Sequence, residues 1–488
     1  MKMYYFLPVL LSFILIPGGA GISGGDRIVD HPDKLTYPEL SYTPPDIEHY
    51  MEMLPGGIPV FITEDHAWPV FDIEVLVRTG TLHDPPEKAG LAGMTGSLLR
   101  DGGTAAFSPE DFEDRVAFLA AELTCDTRDD RCIIRLSILQ KDMDGGLDLL
   151  KEMLEHPRFD EKQCERYTSD LMQNLKRRND EPSGVERREW AFLLYGEHPH
   201  IKTFSRTGET LSRITREDLL AFHRGHFFPE NYIISVTGDF DRKAVLQKLA
   251  TIFPAGKGKE PLSPMLPERP ESAQSPGVYC IDFPGASQAR VSLGHLGIRE
   301  GNPDYYALQI MNYILGGGGF SSRITRRVRS DEGLSYSQGS SLYPGNWYAG
   351  VFRAYFQSNN KNASKGIKII MEEIERMRNE KVTGPELEAA KNAITGRLPG
   401  EFSDRFRTVR TFASDYYIGR PADFRKNYEQ RINAVTAEDV QRVARKYLHP
   451  GKYVLLMVGN LEEVQETWDE EALGPIKQLP LRDPLTLK

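Results

Sequence analysis

Thr215-Arg216-Glu217-Asp218-Leu219 and Thr436-Ala437-Glu438-Asp439-Val440 are one pattern written twice, 221 residues apart. The agreement continues downstream at the same offset. Pro229 answers to Pro450, Tyr232 to Tyr453, and Gly238-Asp239 to Gly459-Asn460. Each copy reads as a helix start, in which the Thr oxygen accepts backbone N–H groups and the acids favour the positive end of the helix. A helix, a Pro break and an apolar β-rich run follow. Agreement at seven spaced positions is an internal repeat, and it decides the organisation of the chain.

Working outward, the beginnings of the two halves agree more loosely. Ile73, Val75 and Val77 alternate with Glu74, Leu76 and Arg78, and Val291 and Leu293 hold a similar place after Pro284-Gly285. Residues 256–275 are rich in Pro, Gly, Ser and charge, a linker composition. The expected organisation is an N-terminal module over 40–255, a linker over 256–275 and a C-terminal module over 276–475. Further helix starts stand at Ser108-Pro109-Glu110-Asp111 and Thr383-Gly384-Pro385-Glu386. Strands and helices interleave without regular βαβ alternation. The fold class is therefore α+β: two homologous modules, each a mixed or mostly antiparallel sheet packed with helices.

Length and composition fit this plan. The 488 residues are 40% hydrophobic and 27% charged, an ordinary globular balance. The net charge of −10 argues against sequence-independent nucleic-acid binding. Lys176-Arg177-Arg178 and Arg326-Arg327 read as solvated helix faces. Residues 1–25 have the plan of a secretory signal peptide: Lys2, an apolar run over Tyr4–Ile16, then Gly18-Gly19-Ala20-Gly21. The run is short for a membrane span, and no later stretch is apolar enough for one. The expected location is outside the cytoplasm, periplasmic or secreted. Cys125 and Cys132 flank a six-residue turn segment, and export permits a bridge there. A bridge and two free thiols remain alternative readings.

Several short motifs occur in one order. They are Leu54-Pro55-Gly56-Gly57-Ile58-Pro59-Val60, Arg78-Thr79-Gly80-Thr81, and Asp84-Pro85-Pro86-Glu87-Lys88-Ala89-Gly90-Leu91-Ala92. Gly102-Gly103-Thr104, Pro157-Arg158-Phe159 and Tyr195-Gly196-Glu197-His198-Pro199 follow. The second half has Leu315-Gly316-Gly317-Gly318-Gly319-Phe320-Ser321-Ser322-Arg323, then Arg329 and Gly333-Leu334-Ser335-Tyr336. In this set the chain resembles the pitrilysin/insulinase family of zinc peptidases, which includes the mitochondrial processing peptidase. The resemblance spans roughly 45–470 and implies a clamshell-like pair of modules.

In an active member, Gly-Leu-Ala leads into H-x-x-E-H on a helix. Two His four apart share one helix face and bind zinc, and the Glu activates the metal's water. Here Gly93 and Ser97 stand at the two His positions, and Gly96 stands at the Glu position. The third ligand position, 77 residues beyond Ser97, holds Asn174. None of these is an ordinary zinc ligand. No H-x-x-E-H occurs elsewhere in the chain. The expectation is that this chain binds no metal and that zinc sits on a partner.

The second half keeps what the resemblance asks of it. Family members with a divided site use an Arg and a Tyr, seven residues apart, to hydrogen-bond substrate near the cleaved bond. Arg329 and Tyr336 have that spacing and context. The alternative is that they tie a loop to a sheet. In processing-peptidase relatives a glycine-rich loop on the non-catalytic subunit handles substrate, which points to Gly317, Gly318 and Phe320. A tight turn is the other reading of the same glycines. The run lacks the Lys-Ser/Thr of a phosphate loop. His223 and His226 read as a packed pair. Ser97, Ser321 and Ser322 are not in a nucleophile motif.

The reading is an exported, non-catalytic subunit of a heterodimeric zinc peptidase. Its partners would be a homologous zinc-bearing subunit and an extended peptide, with no nucleic acid and no stable membrane span. The alternative is an inert peptide-binding or scaffold protein, a homodimer on the same fold.

Overall fold

A computed structural model of the chain describes residues 42–196, 198–256, 258–263 and 275–488. The expected signal peptide, and residues 257 and 264–274 of the expected linker, lie outside the described residues. Residues 43–488 form one compact unit.

The repeat is visible as two six-stranded sheets of matching order. The first runs β1 (Met51–Leu54), β2 (Ile58–Glu64), β6 (Tyr232–Gly238), β3 (Val70–Val77), β5 (Cys132–Leu139), β4 (Glu122–Thr127). The second runs β12 (Ile476–Leu479), β7 (Gly277–Asp282), β11 (Val454–Gly459), β8 (Gln288–Leu296), β10 (Val351–Asn359), β9 (Ser337–Tyr343). In both, one parallel pair (β2 with β6, β7 with β11) meets a run of antiparallel partners. The first sheet's far edge is β1, antiparallel to β2, whereas β12 runs parallel to β7.

The repeated Thr residues cap the Arg216–His226 and Ala437–Tyr447 helices as the spacing predicts. Thr215 Oγ1 accepts from the Asp218 N–H and Asp218 accepts from the Thr215 N–H at 2.9 Å; Thr436 and Asp439 repeat the arrangement. Thr383 and Glu386 repeat it on the Gly384–Thr395 helix, and Ser108 Oγ caps the Pro109–Phe118 helix by accepting from the Asp111 N–H. Each apolar run after the Pro break becomes a central strand, β6 or β11, buried along its whole length. Continuous apolar sequence, rather than alternation, is what a strand covered on both faces needs.

The second covering layer comes from the opposite half. The Pro182–Tyr195 helix, from the first half, places Val185, Leu193 and Leu194 against Ile281, Leu456 and Val458 of the second sheet. The Arg405–Tyr417 helix, from the second half, places Val409 and Phe412 against Phe61, Leu76 and Ile233 of the first. Tyr195 Oη donates to Ala349 O at 3.0 Å, in the loop between β9 and β10. Tyr417 Oη donates to Asp130 O at 2.7 Å, in the loop between β4 and β5. Buried acids reinforce the exchange. Glu186 on the first helix pairs with Arg353 on β10, and Glu74 on β3 pairs with Arg410 on the second helix.

Candidate functional site

The first group of expected site residues lies on the Leu91–Asp101 helix. The motif before it has a structural reason. Asp84 turns its carboxylate onto the helix start and accepts from the Gly90 N–H at 2.8 Å and the Ala92 N–H at 2.7 Å. Gly90 has φ +111°, a conformation that favours glycine. Burial pushes the Asp84 carboxyl up to about 6 despite these donors and the nearby Lys202.

Gly93 and Ser97 share one face of this helix. A side chain at Gly93 would meet nothing within 4 Å, so the first ligand position is open. Ser97 Oγ hydrogen-bonds Tyr167 Oη at 2.7 Å, on the neighbouring Glu161–Arg177 helix. Gly96 is closed in. A Cβ there would stand 2.1 Å from Thr127 Oγ1 and 3.5 Å from Cys125 Sγ, both on edge strand β4. Asn174, exposed on the second helix, borders a pocket of about 380 Å³. Arg178, Arg187, Arg188 and Arg206 line that pocket and no carboxylate does.

Cys125 Sγ and Cys132 Sγ are free thiols 3.3 Å apart. They are diagonal rather than opposite, since Cys132 faces Thr127 and Cys125 faces Ile134. The turn is centred between Asp129 and Asp130, one residue beyond the midpoint of the two cysteines. His223 and His226 are packed as expected: His223 Nε2 meets Leu154 O at 2.9 Å and stacks on Phe227, while His226 stacks on Phe222. Burial holds both imidazoles below the ordinary histidine range.

The second group lies at the open end of the second sheet, on the other half. The Tyr305–Asn312 helix widens into a π-helical turn, Tyr313–Gly317. The glycines allow close packing there. A Cβ at Gly316 would stand 2.4 Å from Ser340 N on β9, and one at Gly317 would stand 2.7 Å from Asn312 Nδ2. A Cβ at Gly318 would stand 2.7 Å from Tyr313 O. The turn delivers Phe320 to the surface, 72% exposed. A second π-helical turn, Arg326–Asp331, carries Arg329. Such turns recur at functional sites.

The structure brings Phe320, Arg329 and Tyr336 together. The Arg329 guanidinium carbon lies 4.6 Å from the Phe320 ring centroid and 5.4 Å from that of Tyr336. Tyr336 is 88% exposed and leads directly into edge strand β9. Of the neighbouring cations, Arg323 forks onto Glu386 and Arg327 reaches Glu372 and Glu373, while Arg326 is exposed. Arg327 is thus half-buried and paired, not a freely solvated face. Among the described residues Arg329 has no ion-pair partner within 4.0 Å, and its guanidinium lies over the two rings.

Residues 60–191 match the family described as "Insulinase (Peptidase family M16)", and residues 213–394 match "Peptidase M16 inactive domain". The chain belongs to the M16 peptidase family. It is 24% identical over 396 residues to a Bacillus subtilis protein described as "Uncharacterized zinc protease YmxG", covering 80% of this chain and 92% of that one. It is 22% identical over 418 residues to the Helicobacter pylori "Non-peptidase homolog YmxG", covering 84% and 94%. Its fold is similar to the crystal structure of a peptidase M16 inactive domain from Pseudomonas fluorescens, with TM-score 0.75 and 23% identity, over 84% of this chain and 97% of that one. A protease structure from Helicobacter pylori gives TM-score 0.74 and 20% identity, over 86% and 100%.

Within this M16 chain, the residues at the zinc positions do not fit the metal. Gly93 offers no ligand atom, and Ser97 already bonds Tyr167. Asn174 borders a cationic pocket. Among the described residues, no three His, Cys, Asp or Glu side chains stand together to hold a metal ion. No helix among them is long and apolar enough to cross a membrane.

Proposed function

We propose that this M16 homologue is exported and acts as the non-catalytic subunit of a two-chain zinc peptidase. Arg329 and Tyr336 contact an extended peptide at the partner's metal site. The observation that carries the reading is the Phe320–Arg329–Tyr336 cluster, an unpaired guanidinium held between two exposed rings. Stacking fixes a guanidinium plane while leaving its edge free to donate. A peptide carbonyl under attack gains negative charge, and a pre-aimed guanidinium and phenol stabilise it. A structural Arg or Tyr needs partners inside its own fold. Arg323 and Arg327 have acids, and Arg329 has only the two exposed rings.

The test is co-production with an exported relative from the same genome that carries H-x-x-E-H. Expected is a co-purifying complex whose peptide cleavage stops with a zinc chelator. Arg329→Ala and Tyr336→Phe should each lower turnover by about 10²–10³, the usual loss for one such donor, with assembly intact. Unchanged turnover in the double variant would sink the role assignment. A homodimer that binds peptide without cleaving it, and recruits no such relative, would point to the scaffold reading.

A further inference from the structure

The pocket beside Asn174 has a chemistry that the peptidase reading does not use. It lies between the Glu161–Arg177 helix, the Pro182–Tyr195 helix and the segment from Thr203 to Leu211. Arg178, Arg187, Arg188 and Arg206 face it together. Four like charges in one cavity repel, and folding gains nothing from gathering them without a counter-charge.

Among the described residues Glu189 pairs with Arg188, and no acid stands within 4.0 Å of Arg178, Arg187 or Arg206. Arg188 is 3% exposed and uses Nε on Glu189 Oε1 at 2.7 Å and Nη1 on Asn179 Oδ1 at 2.8 Å. Its Nη2 is buried with no partner. The second oxygen of Glu189 is taken by Arg482 Nε at 2.9 Å. Asp483 accepts the Leu485 and Thr486 N–H groups. Arg178 makes one bond, Nη1 to Arg206 O at 2.7 Å, and its Nε and Nη2 are buried without partners. Burial, with Arg188 and Arg206 close by, lowers the Arg178 guanidinium to about 10. Native proteins seldom leave buried N–H donors unmet. Three on two neighbouring guanidiniums in one pocket wall suit an oxyanion, whose oxygens accept from forked donors.

The rest of the lining sets the kind of anion. Leu171, Leu175, Phe204 and Leu211 form an apolar wall. A volume near 380 Å³ is at the small end for ligand pockets. We infer that this pocket binds a small organic oxyanion, a phosphate or carboxylate head on a short apolar body, with Arg178 and Arg188 gripping the head.

The test is calorimetric titration of the full chain with phenyl phosphate, benzoate and inorganic phosphate, at ionic strength matched with chloride. Saturable binding of phenyl phosphate or benzoate is expected, and which of the two binds identifies the head group. Arg178→Gln should weaken it by about 10- to 100-fold, the loss of one charge-assisted hydrogen bond. This variant should fold, because Arg178 has no ion-pair partner and is repelled by its neighbours; its melting temperature should equal or exceed that of the parent. Leu171→Ala should weaken phenyl phosphate more than inorganic phosphate. Absence of saturable binding by all three anions, or equal affinity in the Arg178→Gln variant, would overturn the inference.

Discussion

Gly96→Ala asks whether the base position of the family's zinc motif is merely vacant or physically filled. In the interior of a helix, Gly to Ala gains about 1 kcal/mol. Against it, the new methyl would stand 2.1 Å from Thr127 Oγ1 and 3.4 Å from Thr127 Cβ. Thr is short and β-branched, so it must leave its rotamer or push β4 outward, and overpacking of this kind costs about 1–3 kcal/mol. The net expectation is a loss of about 0–2 kcal/mol. With Thr127→Ala in the background the Oγ1 contact is gone, and what remains is the residue-127 Cβ at 3.4 Å and Cys125 Sγ at 3.5 Å, ordinary distances. There Gly96→Ala should stabilise by about 1 kcal/mol, giving a coupling of about 1–3 kcal/mol across the cycle. Urea unfolding of the four proteins, followed by far-UV circular dichroism, measures it. Equal stabilisation by Gly96→Ala in both backgrounds would refute the reasoning and leave the position open to a glutamate.

Two further outcomes follow from buried acids. Glu74 is 4% exposed and meets Arg135 Nε at 2.6 Å and Arg410 Nε at 2.8 Å, one cation from each half. Glu74→Ala strands both and should cost about 3–5 kcal/mol in urea unfolding; a loss below about 1 kcal/mol would contradict the pairing. Asp84 titrates at about 6 when folded and at 3.8 ordinarily. Between those values the folded chain keeps a proton that the unfolded chain has lost, so the stability this group contributes at low pH is lost as pH rises through 6. That is about 2–3 kcal/mol, and the stability gap between the parent and Asp84→Asn should narrow from pH 4 to pH 7. A gap that stays level would place the Asp84 titration elsewhere.

The sequence made legible what short local patterns dictate. Capping boxes at Thr215 and Thr436 need specific residues three apart, and central strands need unbroken apolar runs, so the repeat and its sheets could be read directly. The exchanged helices could not. Pro182–Tyr195 is buried nearly all round and shows little amphipathic pattern, and the pattern of Arg405–Tyr417 does not say which sheet it covers. The Arg329–Tyr336 spacing was readable, whereas the Phe320 ring that completes the stack depends on two π-helical turns that no simple periodicity announces. The basic run Lys176-Arg177-Arg178 reads as a solvated face, and Lys176 and Arg177 are exposed. Arg178 turns inward because the helix ends at Arg177, and its side chain follows the turn toward Arg206 O. The available signal was the gathering of Arg178, Arg187, Arg188 and Arg206 within 29 residues of chain. Only the fold shows that their heads converge.

The family's ligand positions carry none of the fold's structural burden here. Gly93 and Asn174 face open space and a pocket, away from the two apolar cores. Stability comes from sheets covered on both faces, with a helix of each half locked onto the sheet of the other. That leaves the first half's vacated site free to change its charge. A zinc site concentrates carboxylate and imidazole donors around a cation. Here Asn174 borders a pocket lined by arginines, and the base position is closed by Thr127 from the neighbouring strand. Restoring the His and Glu letters alone would therefore not restore a metal site. The two halves carry separate chemistry: an arginine over two exposed rings on the second, proposed for a neutral peptide carbonyl, and an arginine-lined pocket on the first, proposed for a charged oxyanion.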